Sequence, residues 1–528
     1  MSKSLVRCAA LAFLLTLPQG LCAALTLPAL FSDNMVLQEG LPDPIWGRDT
    51  PGATVQVTFA GQSQSAKVGK DGRWRVTLTP MAANAAPQTL VVHGSSVKEI
   101  KGVLVGEVWL CSGQSNMTFK AGQAANAEVE TAAMRYPSIR LLTVPNVASQ
   151  QPQEDFKGAW QACTPESCQE FSAIGLFYGV YLHRILGVPV GLIHNSWGGS
   201  NIQSWLPRSI LEENPQYADA LTWCKKREAR AVSPAALKKY EGEVEEYKVD
   251  LAKWKLDVEK DPLQEPNRPR KPHDPRDFLD GNLRAGNLYN GVLAPLIGYG
   301  MKGVIWYQGE SNVGDTDTYR GLFAALIHQW RADWDQGTFP FYWVQLPNHG
   351  ERPLTTLPPP EDGDWARLRE AQSQAMSLPK TGEAVTIDLG VAHDLHPKNK
   401  MDVAARLARW PLANEYAQKM SFRSPEGKLT GIEADKVTIT FTNVGSGLCI
   451  HYDDEIAGFT ICGADGKWVW AHAVIQETDK VMVWSEQVPH PKFVRYAWGD
   501  NPACNLYTEE GLPAAPFRTD TFPEKPQP

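Results

Sequence analysis

The chain has 528 residues, 43% of them hydrophobic, so it can bury more than one core, and its length predicts roughly two to four domains. Lys and Arg total 51 against 59 Asp and Glu, and this net charge of -8 without a basic stripe argues against nucleic acid or an anionic membrane as a partner. We therefore expect a small or neutral partner.

The N-terminus has the order of a secretory signal: a basic end, an apolar run over 8–17 and small residues around Ala23. Leu21 stands where a lipidated Cys22 would need a small neighbour, so we expect cleavage near Ala23 rather than a lipid anchor. The segment 1–24 is thus predicted to be a signal peptide of a secreted or periplasmic protein. No later stretch reaches the ~18 uninterrupted apolar residues of a membrane helix.

Seven of the nine cysteines follow that signal, and an odd number in an oxidising compartment predicts at least one free thiol. Cys163 with Cys168, and Cys449 with Cys462, are near enough in sequence to be bridged. Cys111 lies on a predicted strand and is interpreted as a buried free thiol rather than a catalytic one. No Cys-x-x-Cys or His-x-x-x-His pattern indicates a metal, and we expect no metal and no other cofactor.

The pattern of the chain changes twice and predicts three folded regions. From 25 to 101, period-two alternation around Gly-containing turns predicts an N-terminal β-sandwich. From 102 to 418, strands alternate with helix-length amphipathic runs, which predicts an α/β domain with a mostly parallel sheet and helices on both faces. A charged insertion at about 211–280 interrupts it and is interpreted as a solvated helical arm with a proline-stiffened return. From 419 to 528 the β pattern returns and predicts a C-terminal β-sandwich.

Polar or glycine residues follow several predicted strands of the α/β region. Ligands of such sheets bind outside the carboxyl ends of the strands, so we expect the residues that follow the strands to meet at one edge. These residues are Ser115, Gly198, Gly199, Asn312 and His396.

A serine at such an edge is a candidate nucleophile if a base can activate it. A serine hydroxyl of ordinary pKa needs a histidine within hydrogen-bond reach, and that histidine needs an orienting acid. Among eleven histidines, His396 is distinguished by Asp394 two residues before it and by Pro397 after it, which restricts the loop. Ser115 and His396 are therefore the predicted pair.

Attack on an ester carbonyl also creates an oxyanion that needs preorganised donors, each worth roughly 10²–10³ in rate. Three candidates are available near the same edge. They are the backbone N–H of Ser115, a backbone N–H from Gly198 or Gly199, and the side-chain amide of Asn312.

Four ordered motifs resemble the sialate O-acetylesterase family of SGNH hydrolases, over roughly 25–520. They are Gly-Gln-Ser-Asn-Met at 113–117, Asn-Ser-Trp-Gly-Gly-Ser at 195–200, Trp-Tyr-Gln-Gly-Glu-Ser-Asn at 306–312 and Asp-Leu-His-Pro-Lys-Asn-Lys at 394–400. The resemblance implies a flavodoxin-like sheet, and it implies that Ser115 is the nucleophile, His396 the general base and then acid, and Asp394 its orienting acid. It further implies an oxyanion hole of Ser115, Gly199 and Asn312, and a site lined by Gln114 and Glu310.

Two features depart from related patterns. The wider SGNH superfamily often carries Asp-x-x-His, but His393 stands three residues before His396 here. Glu310 or a backbone carbonyl therefore remains an alternative to Asp394 as the orienting group. Met117 occupies the second glycine position of Gly-x-Ser-x-Gly, which argues against an ordinary lipase elbow.

The combined interpretation is an exported serine esterase that removes acetyl groups from O-acetylated glycans through an acetyl-enzyme intermediate, and the resemblance suggests sialic acid as the substrate. Sialate would need a cation near its carboxylate, and Arg369 is a candidate for substrate binding. An acetylxylan-type polysaccharide acetylesterase is the closest alternative. From a different class, a non-catalytic carbohydrate-binding protein is the other alternative. The sequence carries no signal for an oligomeric state.

Overall fold

The computed structural model describes residues 24–260, 267–360 and 362–521. Nearly all of the predicted signal peptide, 1–24, lies outside these residues. Within them, the helices are too short or too polar to cross a lipid bilayer.

The N-terminal region is built from short strands in two sheets. The strands are β1 (Val36–Gln38), β2 (Asp43–Arg48), β3 (Thr54–Phe59), β4 (Gln62–Lys67), β5 (Arg73–Leu78) and β6 (Asn84–His93). β3 pairs antiparallel with β4 and β6, and β2 pairs antiparallel with β5. Buried and exposed residues alternate along β5, which is why its period-two pattern could be recognised in the sequence.

A single strand, β7 (Val97–Gly113), connects this region to the α/β region and runs through the expected boundary near 101. Its first part pairs antiparallel with β6, and its last part enters the central sheet. From Val103 to Gly113 every residue is buried, as expected for a strand covered on both faces.

The central sheet is mostly parallel, which confirms the mixed α/β class. Its further strands are β8 (Tyr136–Thr143), β9 (Gln161–Cys163), β10 (Val190–Ser196), β11 (Gly303–Tyr307), β12 (Phe341–Val344) and β13 (Thr381–Ala384). The order is β13-β12-β11-β7-β10-β8-β9, and all of these pairings are parallel except that of β8 with β9. β7 has β10 on one side and β11 on the other, so the chain crosses over in both directions from it, which makes this point a topological switch.

The helices of this region begin and end at recognisable signals. They are α1 (Ser115–Thr118), α2 (Ala127–Ala132), α3 (Ala173–Leu186), α4 (Arg208–Glu213), α5 (Ala218–Ala231), α6 (Pro234–Lys260), α7 (Thr316–Trp334), α8 (Asp364–Ser373) and α9 (Lys400–Asn414). Ser172 accepts a hydrogen bond from Gly175 N at the start of α3, and Gly187, at φ +71°, ends it. Asn399 caps α9 in the same way. The predicted polar arm is the 27-residue helix α6, which has no buried residue.

The C-terminal region returns to antiparallel sheets around its own apolar cluster. Its strands are β14 (Glu426–Glu433), β15 (Lys436–Thr442), β16 (Leu448–Ile450), β17 (Phe459–Cys462), β18 (Val469–Trp470), β19 (His472–Glu477), β20 (Lys480–Trp484), β21 (Phe493–Tyr496), β22 (Leu506–Thr508) and β23 (Phe517–Arg518). Two four-stranded sheets have the orders β14-β15-β20-β19 and β18-β17-β21-β23, and β16 pairs with β22. The return to β structure after the α/β region is as expected from the sequence.

All seven cysteines in the described part of the chain are free thiols, so neither pair considered from the sequence is bridged in this structure. Cys111 is buried and free, as predicted. Burial raises the pKa of its thiol well above the ordinary range, which favours the uncharged, unreactive form.

The carboxyl ends of the three central strands are level with one another. Gly113 of β7 is paired with Ser196 of β10 and with Tyr307 of β11. Gly113 has φ +134°, and a Cβ at this position would overlap the carbonyl oxygen of Tyr307. Only glycine combines this backbone angle with so close an approach, so the residue fixes how the strand ends meet.

We expect Gly113→Ala to lower the free energy of unfolding by about 2–5 kcal/mol, since backbone strain and overpacking add. Gly187→Ala is the matched control, because Gly187 has φ +71° but a Cβ there would meet no atom within 4 Å. It should cost only about 1–2 kcal/mol. Urea unfolding of both variants measures the difference, and equal costs would contradict the role of the Tyr307 contact.

Candidate active site

Ser115 is the first residue of α1 and stands two residues after the end of β7. The preceding residue, Gln114, donates its backbone N–H to Tyr307 O at 2.8 Å, and its own carbonyl accepts from Met117 N and Thr118 N at 2.9 and 3.0 Å. These bonds turn the chain sharply from strand into helix. Ser115 is left half-buried at the wall of a cavity.

This cavity has a volume of about 1000 Å³ and lies at the carboxyl edge of the central sheet. It brings together three of the predicted site residues, Ser115, His396 and Gly198. Its remaining wall comes largely from a segment that sequence reasoning missed, because ordinary residues there carry no chemical signature. The other lining residues are Thr118, Phe119, Lys120, Gly122, Gln123, Ala124, Asn126, Ala127, Glu128, Val129 and Lys398.

His396 is half-buried in the same cavity as Ser115. Burial is the largest cause that lowers its pKa from 6.5; the positive charge of Lys400 lowers it further, and Asp394 acts in the opposite direction. Among the described residues, no hydrogen bond joins the imidazole to Ser115 Oγ. Such bonds are often long without substrate and shorten in the reacting complex, so shared lining of one cavity is the relevant observation.

A second histidine, His194, lies near the site but is a poor candidate for the base. Its Nε2 lies 2.6 Å from Ser196 Oγ, which is 2.8 Å from Thr118 Oγ1. Full burial lowers its pKa to about 4, so the ring stays neutral within this chain of hydrogen bonds. We therefore assign His194 a structural role.

Neither predicted acid has a hydrogen bond to the imidazole of His396 among the described residues. Asp394 Oδ1 instead accepts the backbone N–H of His396 at 2.8 Å, so the carboxylate closes a tight turn in the loop. Glu310 Oε1 accepts from Asn116 Nδ2 at 2.6 Å, while its Oε2 is buried without a partner in the described structure. Which group orients the imidazole therefore stays a prediction.

The glycine loop after β10 lies against the nucleophile. A Cβ on Gly198 would lie 3.4 Å from Ser115 Cβ, and Asn282 Nδ2 donates to Gly198 O at 2.7 Å, which holds the loop in place. Gly199 is exposed and has φ +74°, a conformation that favours glycine. The loop therefore brings glycine main chain next to Ser115.

Asn312 is buried at the end of a short turn, Glu310–Asn312, that follows β11. Its Oδ1 accepts from Ile202 N at 2.9 Å and from Gln308 Nε2 at 2.8 Å, and its Nδ2 donates to Gln203 Oε1 at 3.0 Å. These bonds fix the orientation of the amide. The side chain of Asn312 also hydrogen-bonds the Asp315 carboxyl, so both N–H donors of its amide are engaged, and Asn312 does not line the cavity.

Gln114 ties the ends of β7 and β11 together and does not line the cavity. Its Oε1 accepts from Gly309 N at 3.2 Å and from Ser311 N at 3.4 Å, and the residue is buried. Among the described residues, no group of three or more His, Cys, Asp or Glu side chains is placed to hold a metal ion.

Comparison with known proteins assigns the family. Residues 105–261 and 284–418 match the family described as carbohydrate esterase, sialic acid-specific acetylesterase. The chain belongs to this family.

Full-length relatives agree with this assignment. The chain is similar to the sialate O-acetylesterase of Homo sapiens, at 29% identity over 92% of this chain and 91% of the relative. It is 30% identical to the sialate O-acetylesterase of Rattus norvegicus over 93% of each chain. A crystal structure of a novel carbohydrate acetylesterase from Xanthomonas citri has 34% identity and a TM-score of 0.77, and the match covers 94% of this chain and 100% of that one. The predicted family and the prediction of a carboxylic-ester hydrolase are confirmed.

Two residues of this carbohydrate esterase that sequence reasoning did not single out are Asn116 and Lys400. Asn116 Nδ2 donates to Leu395 O at 2.8 Å as well as to Glu310, and Asn116 Oδ1 accepts from Lys400 Nζ at 2.5 Å. Both residues stand inside the motifs quoted above, and that position was the only signal available. Their contacts connect the turn of Ser115 to the loop of His396.

Arg369 does not lie at the cavity of this carbohydrate esterase, contrary to its suggested role in substrate binding. It is fully buried on α8, where its guanidinium donates to Pro347 O at 3.3 Å, to Asp500 O at 3.5 Å and to Gly499 O. Burial lowers its pKa to about 10. The side chain therefore fastens the C-terminal region to the α/β region.

We expect Arg369→Met to lower the free energy of unfolding by about 2–4 kcal/mol, because buried carbonyl oxygens lose their donor. The KM for an acetyl ester should stay within a factor of about two, since the residue is remote from the cavity. Arg367→Met is the control, because Arg367 pairs with Asp362 in a partly exposed position and should cost at most about 1 kcal/mol. A large rise in KM for Arg369→Met with unchanged stability would contradict this assignment.

Proposed function

We propose that this carbohydrate esterase uses Ser115 as its nucleophile and removes O-acetyl groups from sialic acid or a related glycan. The observation that carries the proposal is that Ser115, from the turn after β7, and His396, from the loop before α9, line one cavity of about 1000 Å³. The glycine main chain of Gly198 lies against Ser115 in that cavity. Nucleophile, base and backbone donors are the parts that acyl transfer needs.

In the proposed reaction, His396 takes the proton of Ser115 as the hydroxyl oxygen attacks the acetyl carbon. The N–H groups of Ser115 and Gly199 stabilise the oxyanion. Asn312 is proposed as the third donor, and its Nδ2 would have to release Gln203 or Asp315 to take that role. His396 then gives its proton to the departing sugar oxygen, which leaves an acetyl-enzyme. A water molecule, activated by the same imidazole, attacks that ester, and acetate and the free serine are released.

Asp394 is proposed to act on His396 by shaping its loop and by its charge. Its Oδ1 holds the backbone N–H of His396, and its negative charge favours the protonated imidazole that forms during the reaction. Glu310 is the alternative orienting acid. Its carboxyl is engaged by Asn116, so it would need to turn toward the imidazole to take that role.

A sialic acid substrate is favoured by a cation at the cavity. With Arg369 remote from the site, Lys398 is the cavity residue best suited to a sugar carboxylate, since it is exposed and follows His396 by two positions. Lys120 also lines the cavity but pairs with Glu170 at 2.5 Å. The similarity to sialate O-acetylesterases supports the same substrate class.

We further propose that the protein is exported and that the α/β region has the flavodoxin-like arrangement of SGNH hydrolases. Export rests on the order of the N-terminal sequence. The arrangement is supported by the parallel pairing of β7 with β10 and β11 and by a serine two residues after β7 at this switch point. The division into regions 25–101, 102–418 and 419–528 is kept as the proposed domain organisation.

Ser115→Ala and His396→Ala should each lower kcat for p-nitrophenyl acetate by roughly 10³-fold or more, because they act as one unit. Asp394→Asn should lose no more than about 10²-fold, because asparagine keeps the oxygen that accepts the backbone N–H of His396. Ser311→Ala, a neighbouring serine that contacts Gln114, is the control and should keep most activity. Full activity of Ser115→Ala would exclude the proposed nucleophile.

Acetate release from O-acetyl sialate should exceed release from acetylated xylan, and Lys398→Met should raise KM for the sialate by about 5-fold, since an exposed ion pair contributes at most roughly 1 kcal/mol. The same variant should leave KM for p-nitrophenyl acetate nearly unchanged, because that ester has no carboxylate. Faster hydrolysis of acetylated xylan, insensitive to Lys398→Met, would favour the polysaccharide alternative.

A further inference from the structure

Lys400 is a buried lysine directly behind the reacting residues. It is only 1% exposed, and a buried ammonium is costly unless it is well partnered. Its Nζ lies 2.5 Å from Asn116 Oδ1, 4.8 Å from the ring centre of Phe119 and 5.8 Å from that of Tyr307. An oxygen acceptor and two aromatic faces together form a buried site that stabilises a positive charge.

Asn116 connects Lys400 to both reacting groups. It follows Ser115 in the chain, and its Nδ2 donates to the carbonyl of Leu395, the residue that precedes His396. The same amide donates to Glu310 at the end of β11. With Lys400 holding the amide oxygen, both N–H donors and the oxygen of the side chain are engaged, so its orientation is fixed.

The charged groups around His396 come from several elements. Lys400 and Asp394 belong to the loop and helix start that carry the histidine, and Glu310 faces Lys400 from the end of β11. Lys398, Lys120 and Glu128 line the cavity itself. Lys400 is the cation that lowers the pKa of His396, and Asp394 opposes it. Burial lowers the pKa of Lys400 to about 7, so its positive charge increases as the pH falls toward the range in which the imidazole takes up its proton.

We propose that Lys400 is a positioning residue: through Asn116 it fixes the His396 loop against the Ser115 turn, and its buried positive charge disfavours a proton on the imidazole. This inference rests on the proposed role of His396 as the base. It means that the imidazole remains able to accept a proton in mildly acidic solution, where an ordinary histidine would already be charged.

The test is a titration of His396 by NMR in the full chain with ¹³C-labelled histidine, its signal assigned by its loss in His396→Gln. Lys400→Met should raise the pKa of His396 by about 1, because the positive charge that lowers it has been removed. Lys400→Arg keeps the charge and should leave it nearly unchanged. Lys302→Met is the matched control: Lys302 also lies over a ring, 5.1 Å from that of Tyr416, and should have no effect.

The kinetic readout is the acidic limb of the pH profile of kcat/KM. This limb should move to higher pH in Lys400→Met by the same amount as the pKa of His396, and it should stay at the wild-type position in Lys400→Arg. A purely structural role would lower the rate without moving this limb. If circular dichroism shows that Lys400→Met does not fold, Lys400→Gln is titrated in its place, because glutamine keeps a donor to Asn116 but has no charge. An unchanged titration of His396 in either folded variant overturns the inference.

The two proposals fail separately. If hydrolysis does not depend on Ser115 but the titration of His396 shifts as expected, the proposed nucleophile is wrong and the electrostatic role of Lys400 stands. If hydrolysis depends on Ser115 but the titration does not shift, the inference about Lys400 is wrong and the esterase mechanism stands.

Discussion

The close approach of two backbones at Gly113 is the constraint on which the site depends. Gly113 is paired with Ser196 on one side and Tyr307 on the other, so three strands end at the same level. The N–H of Gln114 then bonds to Tyr307 O, and the chain turns into α1 at once. Ser115 owes its position at the cavity to this geometry rather than to any contact of its own side chain.

Buried polar side chains also hold the strand ends and the loops of the site together. Gln114, Asn116 and Asn312 are each buried, and each joins segments that are far apart in the sequence. Polar groups in such places are costly unless satisfied, and once satisfied they fix one arrangement. The edge of the sheet is therefore held by amides in fixed orientations, which is the rigidity that a preorganised oxyanion site requires.

The sequence predicted the elements of the site better than their contacts. Strand ends and helix starts follow from local patterns, which is why Ser115 and His396 could be placed at one edge. Arg369 was misplaced because a helical position does not say where a long side chain reaches. Asp394 could be seen near His396, but an aspartate two residues before a backbone N–H readily bonds to that N–H, and sequence spacing does not separate this from contact with the ring.

The charges around His396 also bear on the second half of the proposed reaction. A lower pKa makes the imidazole a weaker base for Ser115 but makes the imidazolium a stronger acid toward the departing sugar oxygen. Asp394, on the exposed loop, raises the pKa of His396, and the buried Lys400 lowers it. Because solvent screens the exposed charge more than the buried one, the balance favours the acid step, which a poorly acidic sugar hydroxyl needs as its leaving group.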